Sequence, residues 1–133
     1  MSHTNTLLVK EFYNAYARGD GEAAMALMSS DIVWLEAEGH PFADRNPYVG
    51  PRQVLEGVFD RVAKTWAQRV EVEEVYPASN DRVIVSCRYR GRNIQTNKII
   101  DVQVLHVWTV ADGNLVRFQQ YADTAQIVGS TIQ

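Results

Sequence analysis

The stretch HVWTVADGNLVRFQQYADT, residues 106–124, is two apolar runs joined by Ala111-Asp112-Gly113-Asn114. An Asp-Gly pair between runs rich in Val, Trp and Phe predicts a β-hairpin. Its second run carries Gln119 and Gln120 where a purely structural strand would carry valine. Amides in a strand that reads as buried call for a partner, a ligand or a second chain.

Upstream, Arg69 to Pro77, Arg82 to Arg90 and Ile94 to Val110 are also rich in Val, Ile, Tyr and Gln, with breaks at Ser79-Asn80-Asp81 and Gly91. With Leu115 to Ala122 they predict a meander of four antiparallel strands. The run from Ile99 to Val110 is long for one strand and should bend or bulge. Before the meander the period changes. Leu8, Phe12, Ala15 and Tyr16 fall on one helical face, and Gly19 ends that helix. Asp20 caps a second helix over DGEAAMALMSSD, with Ala24, Leu27 and Met28 as its buried side. Ile32 to Leu35 predicts a short strand, and residues 36–50, rich in turn formers, predict a long loop. Pro51 opens a third helix to about Trp66, with Val54, Leu55, Val58, Phe59, Val62 and Trp66 on one side. Helices first and strands after predict an α+β fold over residues 1–133, one domain with helices packed on one face of a curved sheet.

A chain of 133 residues is long enough to bury a core of its own, and 46% hydrophobic with 22% charged residues is a globular composition. A formal charge of −3 with scattered arginines argues against nucleic-acid binding. Arg88, Arg90 and Arg92 read as a solvated rim. No run is long enough for a membrane span, and MSHTNTLLVKEF lacks the form of a signal peptide. The lone Cys87, flanked by apolar residues, reads as a buried small hydrophobe. A cytoplasmic location is the expectation.

Covering a sheet with helices normally leaves an interior of Leu, Ile and Val. Here Gln103, His106, Gln120 and Tyr89 come from strands, and Tyr13 and Tyr16 from the first helix. Apolar walls with a few polar groups describe a small-molecule pocket; the alternative is that these groups point outward.

Three segments, YNAYARGDGEAAMALMSSDIVWLEAEG (13–39), NPYVGPRQVLEGVF (46–59) and VLHVWTVADGNLVRFQQYADT (104–124), together resemble the SnoaL-like branch of the NTF2-like superfamily. That superfamily also contains ketosteroid isomerases and limonene epoxide hydrolase. The resemblance runs from about residue 7 to 127 and implies a cone-shaped α+β fold: three N-terminal helices on a curved, mainly antiparallel sheet enclosing a pocket. It also implies a homodimer through the outer sheet face. It does not fix a reaction, because sites are grafted on folds.

The isomerase base is a carboxylate at the end of the first strand, which the resemblance places at Glu36. The isomerase oxyanion donors fall on Phe12 and Leu105, which donate nothing, and this argues against steroid-type isomerisation. The last acid of the epoxide hydrolase network falls on Gln120, an amide that can orient water but cannot take its proton. The same correspondence turns Phe118, Gln120 and Ala122 to the cavity and Gln119 and Tyr121 outward. Gln120 then either orients ligand or water, or is a structural amide.

Glu36 follows Ile-Val-Trp-Leu and is either a desolvated base or a solvated strand-end acid. Glu36, Glu38 and His40 alternate like metal ligands, but Gly39 and Pro41 break that geometry, so no metal is expected. Strand alternation sets His106 opposite Leu105; with Leu105 in the pocket, His106 belongs to the dimer face, and a bulge would reverse this. Trp34, Phe59 and Phe118 supply aromatic walls, Tyr16 a hydroxyl on the cavity side, and Tyr48 a lid at the pocket mouth. The expected function is binding of a small, largely apolar molecule with a carbonyl or hydroxyl group. Its expected chemistry is cofactor-free proton transfer (isomerisation, cyclisation or dehydration), with Glu36 as base and Tyr16, Gln103 and Gln120 orienting. The rival is a non-catalytic binding or dimerisation module.

Overall fold

The computed structural model describes residues 2–133, and side chains from His3 onward. Helix α1, Ser2–Ala17, buries Val9, Phe12, Tyr13 and Ala15 on one side. Gly19, with φ +72°, ends it in a conformation that costs a side-chain residue more than glycine. The Asp20 side chain then accepts from the Ala23 N–H at 3.0 Å and starts helix α2, Gly21–Ala26. This second helix is shorter than expected. Strand β1 runs Met28–Leu35, so Met28 belongs to a strand. Its inward residues Met28 and Ile32 are separated by a register shift, which hides the two-residue period in sequence.

The loop after β1 contains a 3-10 turn, Pro41–Arg45, and a two-residue strand β2, Tyr48–Val49, antiparallel to β1. Helix α3 (residues 51–65) is α-helical over Pro51–Val54, widens into a π turn over Leu55–Phe59, and closes again over Asp60–Thr65. Trp66 ends the amphipathic pattern but is already the first residue of strand β3, Trp66–Pro77. Strands β4, Arg82–Asn93, β5, Ile99–Ala111, and β6, Asn114–Ala122, complete the meander. A last helix, α4, Thr124–Ser130, begins at Asp123, whose side chain accepts from Gln126 N–H.

The six strands form one sheet in the order β2-β1-β6-β5-β4-β3. Every pairing is antiparallel except β1 with β6, which is parallel, so the α+β expectation holds with a mixed sheet. The helices cover the concave face. On β5 the buried residues are Ile100, Val102, Val104, His106, Trp108 and Val110, and the residues between them through Leu105 are exposed.

This alternation corrects the expected facing of three residues. In the β5–β6 ladder His106 lies opposite Gln120, Trp108 opposite Phe118, and Leu105 opposite Tyr121. Cross-strand partners share a face. With Phe118 and Gln120 inside, His106 is inside and Leu105, 36% exposed, is outside, together with the exposed Gln103. The irregularity in this ladder lies between Thr109 and Val110, beyond the residues concerned. Placing Leu105 rather than His106 at the pocket was a one-residue slip, and in a strand one residue reverses the face.

The meander also depends on a close approach at Gly91, where a Cβ would sit 2.0 Å from the backbone oxygen of Ala67. Backbone on a paired strand cannot retreat without opening the ladder. Gly91→Ala should therefore destabilise the protein by about 1–3 kcal/mol or more, as overpacking does. Urea denaturation checks it, and an unchanged midpoint would show that β3 and β4 have slack there.

Candidate functional site

Between α1, α3 and the concave sheet face lies a cavity walled mainly by aromatic rings: Phe12, Tyr13 and Tyr16 from α1, Trp34 from β1, Phe59 from α3, and Phe118 from β6. The walls brace one another. Trp34 stacks on Phe118 with centroids 3.7 Å apart, and Trp108, beneath them, meets Phe12 at 4.8 Å and Phe118 at 4.7 Å. The cavity offers about 50 Å³ to the centres of water-sized molecules. One water needs roughly 10–15 Å³ by that measure, so a few waters or a small ligand fit without rearrangement. Tyr16, Phe59, Val62, Trp66 and Gln68 also line a surface groove beside α2 and α3 and so form the mouth.

Glu36, just past the end of β1, is only 2% exposed and lines this cavity. Its Oε2 accepts from the Trp34 indole N–H at 2.9 Å. Asn46 grips its backbone from both sides, accepting from Glu36 N–H at 3.0 Å and donating to Glu36 C=O at 2.9 Å. Burial raises the carboxyl to about 7, against smaller lowering effects from the Trp34 hydrogen bond and the Arg61 charge. The acid is therefore poised between its two forms near neutral pH.

His40 Nε2 lies 3.9 Å from Glu36 Oε1, both groups buried. This is not an ion pair at neutral pH, because burial first and Arg61 second lower His40 to about 4. Its Nδ1 accepts from Phe42 N–H at 2.9 Å, so the single proton of the neutral ring sits on Nε2, towards Glu36. Arg61 reinforces the loop from outside. It donates to Asp44 at 2.7 and 3.1 Å, to Tyr48 Oη at 2.7 Å and to the Gly57 carbonyl in the π turn at 2.6 Å, and its guanidinium stacks over Phe42.

At the deep end His106 is 4% exposed, and burial lowers it to about 3, so the ring is neutral. Its Nδ1 is 2.6 Å from the Tyr13 hydroxyl and its Nε2 is 2.7 Å from the Tyr89 hydroxyl. Trp108 Nε1–H donates to the Tyr13 oxygen at 2.9 Å, and Gln120 Nε2–H donates to the Tyr89 oxygen at 2.7 Å. Gln120 Oε1 accepts from Ala37 N–H at 3.1 Å, which ties the chain back to the residue after Glu36. Burial holds both tyrosines well above the ordinary phenol range, and burial with the Glu36 charge raises Tyr16 to about 12.

The structure thus brings Phe12, Tyr16, Trp34, Glu36, Phe59, Tyr89, Phe118 and Gln120 together, and adds His40 and His106. Gln103 and Leu105 lie on the outer face. Tyr48 does not close the mouth: it is buried on β2, its ring fills the space at Gly57, where a Cβ would lie 2.3 Å from the ring, and its hydroxyl donates to Phe42 C=O. Glu38 is exposed and apart from the Glu36–His40 pair, and among the described residues no group of three metal-ligating side chains forms. Val58, Val62, Trp66, Gln68, Val70 and Ile127 complete the lining without having been singled out for it. The first three already stood on the apolar side of α3, whereas Ile127 lies on a helix that the sequence reading did not include. The supports Asn46 and Arg61 carry no local signal, because their partners lie 10 and 17 residues away.

No helix among the described residues is long and apolar enough to cross a membrane. No curated protein matches this chain. Among solved structures, an NTF2-like protein from Burkholderia thailandensis E264 is 29% identical, with 97% of this chain and 98% of that one covered and a TM-score of 0.91. A candidate SnoaL-like polyketide cyclase from Jannaschia sp. CCS1 is 17% identical, with coverages of 97% and 92% and a TM-score of 0.82. A protein of ketosteroid isomerase-like fold from Catenulispora acidiphila DSM 44928, solved in complex with trimethylamine, is 14% identical, with coverages of 93% and 91% and a TM-score of 0.76. The two likenesses below 25% identity speak for the fold alone. The SnoaL-like domain model matches residues 9–118, most of the length over which the cavity, its acid and the His106 chain are built, and the protein belongs to the SnoaL-like family within the NTF2-like fold.

Proposed function

We propose that the cavity binds a small, largely apolar molecule bearing a carbonyl or hydroxyl group, and that Glu36 acts on it as a cofactor-free base for isomerisation, cyclisation or dehydration. One observation carries this reading: a carboxyl buried among aromatic rings and raised to about 7, in a cavity with room beside it. A general base works best when its pKa is near the operating pH. Trp34 stabilises the ionised form by its hydrogen bond, and His40, neutral with its proton on Nε2, faces the same carboxylate. The oxyanion positions Phe12 and Leu105 donate nothing, but the Tyr13 and Tyr89 hydroxyls line the cavity, and the strand register adds His106. Tyr16 and Gln120 remain candidates for orienting the ligand; Gln103, on the outer face, does not. A second reading, binding without turnover, is favoured by Gln120, whose amide is bonded at both ends within the protein. The proposal includes a second copy of the chain docked on the outer sheet face, where the cross-strand neighbours Leu105 and Tyr121 are exposed. The proposed setting is the cytoplasm, where the buried Cys87 stays a thiol.

Exchange of the α-protons of small cyclic and aromatic ketones in deuterated water, followed by proton NMR, tests the activity. Wild type should accelerate exchange of at least one such ketone, and Glu36→Gln should lower that rate by roughly 10²–10⁴-fold. An unchanged rate in the variant removes Glu36 as base, and no exchange with any ketone leaves the binding reading. Because the base form is the ionised one, kcat/KM should rise with pH through about 7 and level off above it.

The same carboxyl links stability to pH. Its value is raised on folding from the ordinary 4.5 to about 7, so the folded state holds the proton more tightly than the unfolded one. Its favourable contribution is complete below 4.5 and is lost as pH rises to about 7. A difference of this size is about 3 kcal/mol. The stability of Glu36→Gln relative to wild type should therefore grow by about that amount between pH 4 and pH 8, read from denaturation curves. Taking the difference cancels the opposite trend of the neutral histidines. A flat difference would mean that the carboxyl is solvated.

A further inference from the structure

The hydrogen bonds around His106 leave one proton over. Trp108 Nε1 can only donate, so the Tyr13 oxygen accepts from it. Ala37 N–H can only donate, which fixes Gln120 Oε1 towards it and Gln120 Nε2 towards Tyr89, so the Tyr89 oxygen also accepts. Each tyrosine then has its own O–H still to place, and each lies within hydrogen-bonding distance of one nitrogen of His106. A neutral imidazole has one lone pair and one N–H. It can take the proton of one tyrosine only, and it must donate to the other. The hydroxyl that accepts from His106 keeps a proton that no group among the described residues receives, and both hydroxyl residues line the cavity.

Position selects which one. Gln120 spans Ala37 and Tyr89, so the Tyr89 hydroxyl lies one amide group away from the backbone beside Glu36. Tyr13 has no such link and sits over Trp108 with its ring parallel to His106. On that side the Cys87 sulfur also approaches His106 Nδ1, at 3.9 Å.

We propose that His106 carries its proton on Nε2 and donates it to Tyr89, and that the freed Tyr89 hydroxyl proton binds the acceptor oxygen of the ligand, a carbonyl that becomes an enolate. This rests on the reading that the cavity holds a carbonyl compound, and it names the group that recognises it. When Glu36 takes an α-proton, the C–H electron pair becomes the C=C bond, and the carbonyl π pair moves to the oxygen that Tyr89 holds. Tyr13 donates to Nδ1 and keeps the ring in place. The resulting preference is for ketones over hydrocarbons of the same shape.

Two measurements test it. The first compares the dissociation constants of acetophenone and α-methylstyrene, which differ by an oxygen in place of a methylene, in wild type and in Tyr89→Phe. The ketone-to-hydrocarbon affinity ratio should fall by roughly three- to tenfold in the variant, as expected for one neutral hydrogen bond, while hydrocarbon binding persists. The ratio is read from binding and not from exchange, so loss of exchange activity in Glu36→Gln, or its survival, bears on the base and not on Tyr89. The second measurement needs no variant: the ring ¹⁵N shifts of His106 in wild type saturated with acetophenone should report a protonated Nε2 and a bare Nδ1. An unchanged ratio in Tyr89→Phe, a protonated Nδ1, or failure of wild type to bind acetophenone at millimolar concentration would each overturn the proposal.

Discussion

The pairing of β5 with β6 is the constraint from which the site follows. With His106 opposite Gln120 and Trp108 opposite Phe118, one face of the ladder carries an imidazole, an amide, an indole and a phenyl ring. The neighbouring rows, Leu105 with Tyr121 and Val107 with Gln119, are turned to the other side. A shift of one residue would bury Leu105 and Tyr121 and expose the histidine and the amide. Register is thus the choice between a site and an ordinary core, and it is held by Trp108 and Phe118, whose burial contributes about 1.5–3 kcal/mol for a ring of phenylalanine size.

Inside that face the polar groups are tolerable because they satisfy one another. Among the described residues no buried side-chain nitrogen or oxygen is without a partner. A buried hydroxyl or amide with none would cost about 1–3 kcal/mol, and the His106 chain holds two hydroxyls, an imidazole, an amide and an indole N–H. Glu36 is treated differently. A carboxylate in the same surroundings needs more than one donor to remain ionised, and it has the Trp34 N–H with a more distant His40. Two histidines forced neutral and one acid raised to about 7 share one leading cause, desolvation by burial.

How legible this was depended on the length scale of the signal. Helices α1 and α3, the meander and the 111–114 turn were readable because period and turn chemistry are local. The facing of β5 was not, since every residue from Val102 to Val110 except Gln103, His106 and Thr109 is apolar, and alternation cannot be seen in a run that is apolar on both faces. His106 had to be placed from its cross-strand partner, and the choice of Leu105 for the pocket conflicted with the inward placing of Gln120. Strand β2 was invisible because two residues carry no period, and the π turn because Gly57 gives no sign of the Tyr48 ring packed against it. The Glu36 environment was half readable: the apolar run before it announced burial, whereas Asn46 and His40 reach it only through the path of the loop.

The polar chain also couples the site to the fold. Tyr13 belongs to α1, Tyr89 to β4, His106 and Trp108 to β5, and Gln120 to β6, and the chain ends on the backbone after β1. Its bonds span elements far apart in sequence, so they form only once the sheet has closed under the first helix, and they hold the cavity walls at fixed separation afterwards. Aromatic walls alone could slide inward to fill a small void, since dispersion favours contact in any orientation. Directional bonds between those walls resist that collapse. The cavity therefore persists for the same reason that its polar groups are buried, and the hydroxyl left without an acceptor is a place where the bonding among the described residues is incomplete.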